Sequence, residues 1–296
     1  MKDPLAGISA FVAVADAGGF AAASEQLHLT RAAVGKIIAQ LEERLAVRLF
    51  HRTTRSFALT EEGRRFYANC RRALALVEAG LNDLDSRPDE PRGLLKITAP
   101  VLFGRHFVAP VITQLAERFS GLQVQMHLTD QSLDLVESGF DLAVRMGSLD
   151  DSSGLVCRRL APSTIVVCAA PSYLERYGQP QTLEQLSGHQ TLEYSASRRS
   201  GPWANYVSRP GFRLPQTHSR FQVDNLDALV DAAVAGLGLA FLPLWLVAPR
   251  LQQGELVEVL PEQRKMLECS LVWPQNPHVP LKTRFAIDAL VEALGA

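Results

Sequence analysis

The sequence predicts an α/β protein in two parts: a small helical module closed by a hairpin, then a larger domain of alternating strands and helices. Three observations carry that expectation. Between residues 30 and 72 ten bases meet four acids, a local excess of positive charge in a chain whose net charge is −1. A polar, Pro-containing stretch, Ser86-Arg87-Pro88-Asp89-Glu90-Pro91-Arg92-Gly93, then interrupts the chain. From residue 94 onward β-prone runs alternate with helical ones, the mark of a parallel sheet with helices on both faces. A chain of 296 residues has room for two domains at roughly 150 residues each. Its 47% hydrophobic and 21% charged residues exclude wholesale disorder.

The elements follow in order. Leu5, Ile8, Phe11, Val12 and Ala15 recur at helical spacing, so the apolar N-terminal run reads as an amphipathic helix and not as a secretory leader. Phe20–Leu27 is a short Ala-rich helix, His28-Leu29 a tight turn, and Thr30 a suitable N-cap for the helix after it. That helix carries Val34, Ile37, Ile38, Leu41 and Leu45 on one side and Arg31, Ala32, Gly35 and Lys36 on the other. Small residues at 22 and 23 let two helices cross closely, as a helix-turn-helix requires, and the polar face at the start of the second helix is the part that enters a major groove. Leu49–Leu59 is a β-prone hairpin that reads as a wing, with Arg52 and Arg55 available to phosphates.

Thr60 caps a long helix over about residues 61–86, about 39 Å at 1.5 Å per residue. Its stripe of Phe66, Cys70, Ala73 or Leu74, Val77, Leu81 and Leu84 suits one antiparallel pairing with a second copy. Beyond the hinge, strands are expected at Leu94–Ala99, Leu122–Leu128, Phe140–Arg145, Thr164–Ala169, Phe221–Val223 and near Leu239–Leu242. Helices are expected at 101–118, Leu133–Ser138, near Ser172–Tyr177 and at 225–235. Residues 232–249 are uncharged, but Gly236, Gly238, Pro243 and Pro249 punctuate them, so they read as helix end, turn and buried strand and not as a membrane span. The resulting expectation is residues 1–60 for DNA binding, 61–90 for linker helix and hinge, and 91–296 for a second domain. Its lobe I takes 91–163 and 268–296, and its lobe II takes 164–267.

Other chemistries find little support. Four cysteines lie far apart with no metal-ligand spacing, which suits buried or half-buried thiols in a reducing compartment. No two of the seven histidines stand three or four apart. There is no G-x-S-x-G and no H-E-x-x-H, and Gly236-Leu237-Gly238 reaches Phe241 where a dinucleotide fingerprint needs glycine. No enzyme, cofactor or metal is therefore expected, and the expected location is cytoplasmic. A solute-binding protein is disfavoured by the basic module, while an effector-independent DNA-binding repressor remains open.

The residues also carry a family resemblance. Phe11–Gly63 resembles the winged helix-turn-helix of LysR-type transcriptional regulators through Ala22-Ala23, Leu27, Ala33-Val34, Ile37, Leu41-Glu42, Leu49-Phe50, Arg52, Leu59-Thr60 and Gly63. The remainder resembles that family's two-lobed, periplasmic-binding-protein-like effector domain. The marks are Gly104, Pro110, Asp141–Gly147, Ala170–Leu174 and Gly236–Gly238. Thr30-Arg31-Ala32 departs from the serine and glutamine usual before the recognition helix, so operator preference does not carry over. The resemblance implies a homodimer through the long helix, often a tetramer, on operator DNA with dyad symmetry. It also implies a small-molecule effector between the lobes, with RNA polymerase a further candidate partner and no membrane involved.

On this reading Thr30, Arg31, Ala33, Gly35 and Lys36 face the major groove, and Arg52 and Arg55 hold backbone. For the effector, Pro100 is placed as the first residue of a helix, so that free N–H groups at Val101 and Leu102 favour an anion. Thr98 and Thr129 add hydroxyls at the same rim and Arg145 adds charge, unless it pairs with Asp141 or Asp224. Tyr194, Ser195, Trp203 and Asn225 are placed on the facing lobe.

Overall fold

A computed structural model describes residues 5–52, 57–83, 90–147, 154–195, 218–276 and 278–295. The first helix, α1 (Ile8–Asp16), buries Ile8, Phe11, Val12 and Val14. Leu5, expected on the same stripe, precedes the helix and is exposed. α2 (Phe20–Gln26) and α3 (Arg31–Leu45) form the helix-turn-helix, and the Thr30 hydroxyl accepts from the Ala33 N–H at 3.2 Å. Ala23 is fully buried in this packing whereas Ala22 is exposed, so one alanine alone makes the close approach. β1 (Phe50–Arg52) and β2 (Phe57–Leu59) pair antiparallel with Phe50 opposite Leu59. The Glu42 carboxylate ties the wing to α3 by accepting from the Leu49 and Phe50 N–H groups at 2.8 and 3.3 Å.

Thr60 caps α4 (Glu61–Asp83), its hydroxyl accepting from the Gly63 N–H at 2.9 Å. A Cβ at Gly63 would collide with the Leu49 carbonyl, so the helix can start against the wing only with glycine there. Phe11 is the hub of the domain core, with Phe50 and Phe66 rings 5.4 and 5.3 Å away and Tyr67 edge-on at 6.4 Å. The expected pairing stripe on α4 therefore divides. Phe66, Cys70 and Leu74 pack into their own domain, and Val77 is 49% exposed. The Leu81 side chain and Leu84 lie outside the described residues.

The second domain begins with β3 (Gly93–Ala99), which pairs parallel with β4 (Leu122–Leu128) and β5 (Leu142–Met146). Between β3 and β4 the backbone runs through α5 (Val101–Phe103), a π turn at Gly104–Val108 and α6 (Ala109–Arg118). Pro100 is the N-cap and not the first helical residue. The widened turn falls just before Pro110, which has no N–H and crowds the carbonyl four residues back. The helix expected at Leu133–Ser138 is a single turn: the Asp134 carboxylate accepts from the Val136 and Glu137 N–H groups, and Gly139 ends it at φ 68°.

β6 (Leu155–Ala169) is one 15-residue strand, far longer than the expected Thr164–Ala169. Its first half has exposed Arg158 and Arg159, which hide the strand from a hydrophobicity pattern. There follow α7 (Pro171–Tyr177), β7 (Gln190–Tyr194), β8 (His218–Val223), α8 (Leu226–Val234), β9 (Ala240–Pro243), α9 (Leu244–Gln252), β10 (Val257–Val259), β11 (Lys265–Pro274) and α10 (Leu281–Leu294). The sheet is mixed where a parallel one was expected, in the order β10-β6-β11-β5-β3-β4 with β9 on β6. β6 and β11 pair antiparallel along both lobes, with a bulge between Leu267 and Cys269. Pro249 lies inside α9, at the cost of one backbone hydrogen bond, where a turn and strand were expected. Leu95, Ile97, Ile112, Leu142, Leu271 and Leu290 form one core. Two further clusters, around Tyr173, Leu186 and Leu239 and around Leu229, Leu242 and Val247, build the other lobe. Burial pushes the Cys70, Cys168 and Cys269 thiols up to about 11, 12 and 12, while Cys157 is exposed.

A polar network joins the two domains. Asp16, at the end of α1, pairs with Lys96 of β3 at 2.9 Å and Arg71 of α4 at 3.6 Å, and accepts from the Tyr67 hydroxyl. Asp141 accepts from the Lys96 N–H at 2.8 Å and pairs with Lys282 of α10 at 3.3 Å and Arg71 at 3.8 Å. Arg71 also donates to the Gly139 carbonyl and Lys282 to that of Leu94. Among the described residues, no single helix is long and apolar enough to cross a membrane.

Candidate nucleic-acid interface and effector cleft

The basic block of the first domain separates into structural and outward-facing charge. Arg44 donates to the Ala6 carbonyl at 2.8 Å and Arg64 to that of Leu59 at 3.2 Å, Arg65 pairs with Glu61, and Arg71 belongs to the interdomain network. Arg31, Lys36 and Arg48 are exposed and have no such partner among the described residues. On α3 the alternation is sharp: Val34, Ile38 and Leu41 are buried, while Arg31, Ala32, Lys36, Ala39 and Gln40 are exposed. Ala33 and Gly35 are half-buried. A Cβ at Gly35 would meet nothing within 4 Å, so packing does not demand glycine there. Thr30 is exposed, but its hydroxyl oxygen already accepts as the helix cap. Arg52 closes β1 with its side chain outside the described residues, and Arg55 lies wholly outside them. Arg48, counted in the basic block but given no DNA contact from the sequence, stands next to the wing, and Gln40 joins the same exposed face.

In the second domain, parallel pairing puts the carboxyl ends of β3, β4 and β5 on one rim. It does the same for β7, β8 and β9 on another, through the β7–β8 pairing and the Thr191–Leu239 bridge. Ligands in open α/β sheets sit outside such ends. Thr98 and Leu102 are buried at the first rim, and Thr129 stands beside them, its hydroxyl accepting from the Gln131 N–H at 3.2 Å. The N–H of Val101 is not free: the Asp130 carboxylate accepts from it at 3.2 Å. This corrects the expected anion seat, because a side chain of the chain itself already holds the charge that the helix start favours.

Tyr194 comes from the opposite rim. Burial, then the carboxylates of Asp130 and Asp224, holds its hydroxyl above the ordinary tyrosine range. Among the described residues that hydroxyl makes no well-formed hydrogen bond, although Asp130 lies close enough to act on it. Ser195 is exposed beside it, with its N–H on the Val223 carbonyl at 2.9 Å. Asn225 is a helix cap, its side chain accepting from the Ala228 N–H at 2.9 Å, which removes it as a ready ligand. Arg145 pairs with neither Asp141 nor Asp224. It donates to the Leu133 carbonyl, and burial, partly offset by Asp134, lowers its pKa. Trp203 lies outside the described residues. Sequence reasoning missed Trp245, whose ring meets Phe107 at 5.0 Å, His106 at 5.6 Å and Phe103 at 6.3 Å, and whose buried indole N–H has no hydrogen-bond partner among the described residues. These contacts join the two lobes. Among the described residues no three His, Cys, Asp or Glu side chains gather as a metal-ligand set.

A winged helix-turn-helix with an outward basic face, joined by a long helix to a two-lobed domain with facing strand ends, defines a ligand-responsive DNA-binding protein. Residues 5–64 match the bacterial regulatory helix-turn-helix protein of the lysR family, and residues 88–295 match the LysR substrate binding domain. The chain is 33% identical over 297 residues to the HTH-type transcriptional regulator CrgA of Neisseria meningitidis, covering 100% of this chain and 98% of that one. It is also 33% identical over 289 residues to the HTH-type transcriptional activator AaeR of Escherichia coli, covering 96% and 92%. The solved CrgA structure superposes with a TM-score of 0.61 over 98% of both chains. ArgP from Mycobacterium tuberculosis, at 19% identity, shares the fold with a TM-score of 0.73 over 100% and 99%. The chain belongs to the LysR family: it is a transcriptional regulator with a DNA-binding helix-turn-helix and an effector-binding domain.

Proposed function

We propose that residues 1–60 read operator DNA of dyad symmetry through the start of α3, with Arg31, Ala33, Gly35 and Lys36 at base edges. Arg48, Arg52 and Arg55 hold the backbone. The observation that carries this reading is the division of basic residues, in which Arg31, Lys36 and Arg48 alone among the described bases of the block have no structural task. Two symmetric half-sites require two modules, so the working species is a homodimer or a tetramer, acting in the cytoplasm, without catalysis, beside RNA polymerase. A mobility-shift assay on the region upstream of the protein's own gene tests it. A retarded band that weakens steeply with salt is expected, and folded protein giving no shift at low salt would refute the reading.

Residues 91–296 act as one sensing unit, with lobe I at 91–163 and 268–296 and lobe II at 164–267. This unit takes a small molecule where Thr98, Thr129, Asp130, Tyr194 and Trp245 converge. Because Asp130 already occupies the Val101 N–H, the fitting molecule offers hydrogen-bond donors to Asp130 and accepts from the Trp245 indole, in place of a carboxylate laid on the helix start. Thermal-shift screening of small polyols and amines should find a ligand whose stabilisation is lost in Asp130→Asn and Trp245→Phe. A hit unaffected by both substitutions places the ligand elsewhere.

A further inference from the structure

A cavity of about 320 Å³ opens where the first domain meets lobe I. α1 and α4 form one side of it, and the Gly139 turn, the end of β11 and the start of α10 form the other. Its walls combine apolar surface from Leu27, Leu74, Leu135, Phe140 and Trp273 with a charged end at Asp16, Arg71, Asp141 and Lys282. Two observations point to a ligand. The first is charge: the side chains of Lys96, Lys282 and Arg71 are 9%, 10% and 24% exposed, and the described residues set only Asp16 and Asp141 against them. Tyr67 adds no negative charge, because burial and then Asp16 hold its hydroxyl above the ordinary range. Among the described residues one positive charge thus has no counter-charge, in a place where unpaired charge is costly. The second is Thr283, which lines the same cavity at 2% exposure with a buried hydroxyl that has no hydrogen-bond partner among the described residues.

We propose that this interdomain cavity is a ligand site separate from the interlobe cleft, taking a small apolar monocarboxylate. Its carboxylate accepts from the Thr283 hydroxyl and neutralises the surplus cation at the Lys282–Arg71 end. Its hydrocarbon body replaces water against Leu74, Phe140 and Trp273. The volume lies within the range of small-molecule sites, and the pairing of a few convergent polar groups with apolar walls is what such sites share. Since the walls come from both domains, the ligand binds only when the DNA-binding domain is docked on lobe I, and by linkage its presence favours that arrangement.

The test uses the full chain and 4-bromobenzoate, an inert small carboxylate marked by bromine. Soaked crystals should show the anomalous bromine peak between Leu74 and Trp273, and calorimetry in solution should give a measurable dissociation constant. Thr283→Val, close to isosteric, should weaken binding about tenfold without lowering the unfolding temperature. Leu74→Trp, which fills the cavity, should abolish it. A bromine peak confined to the interlobe cleft, binding seen at crystal concentration only, or an affinity unchanged in Thr283→Val would each overturn the proposal. Because the readout is the ligand's position, failure here is distinguishable from failure of the cleft reading.

Discussion

Single residues in this chain are divided between holding the fold and facing a partner, and the division is visible in their hydrogen bonds. Arg44 and Arg31 lie on the same helix, yet one anchors the Ala6 carbonyl and the other projects into solvent. Arg31→Ala should therefore leave the unfolding temperature unchanged while costing about 1–3 kcal/mol of discrimination if its guanidinium grips a guanine; competition binding on operator and mutated operator measures this. His189 shows the opposite case. It is 6% exposed and lies 3.2 Å from the Tyr173 hydroxyl, and burial lowers its pKa from the ordinary 6.5. On acidification the unfolded chain takes up this proton before the folded one does. The stability His189 contributes is thus full above about pH 6.5 and is lost as the pH falls from there toward its folded-state value. Melting curves across that window should show His189→Gln less stable at neutral pH but with a flatter acid slope. An identical slope in both proteins would refute the assignment.

At the scale of elements, α4 serves two masters. Its first turns complete the DNA-binding core through Phe66, Tyr67 and Cys70, and among the described stripe residues it is Val77 that lies open to a second copy. Leu74→Glu should lower the melting temperature of the chain itself, since it places a carboxylate against that core. Val77→Glu should spare the melting temperature and reduce the mass seen by light scattering. An unchanged mass would show that the pairing surface lies elsewhere. The same element shows what the sequence could and could not reveal. Periodicity located α4 and its capping threonine, because spacing and caps are local. It could not separate Leu74 from Val77, because that depends on which neighbour packs there. β6 escaped for a related reason: exposed Arg158 and Arg159 interrupt its hydrophobic run, and only pairing with β11, a hundred residues later, makes it a strand. In the cleft, Thr98 and Thr129 were legible as strand ends. Asp130 and Trp245 were not, since one acts on a backbone N–H distant in sequence and the other reaches across the lobes.

At the scale of the whole molecule, a network of charge joins the two domains. Asp16 is the hinge pin of that contact, joining Lys96, Arg71 and Tyr67. Asp16→Asn leaves buried Lys96 and Lys282 and half-buried Arg71 facing, among the described carboxylates, Asp141 alone, and should cost about 3 kcal/mol, at the lower end of what removing one partner of a buried pair costs. Adding Lys96→Met should restore part of it, because the surplus cation goes as well; thermal unfolding of the single and double variants is the check. The long antiparallel run of β6 and β11 has a consequence for how the protein is made. β11 inserts between β6 and β5, and α10 then supplies Lys282 together with Ala286, Ile287 and Leu290 of the lobe I core. These segments are made after the DNA-binding domain and the rest of lobe I. A nascent chain thus presents a finished DNA-reading head while its first lobe still waits for its centre and its closing helix. Until α10 is made the interdomain network lacks Lys282, and a message cut short before Leu281 would leave the head beside an unfinished lobe.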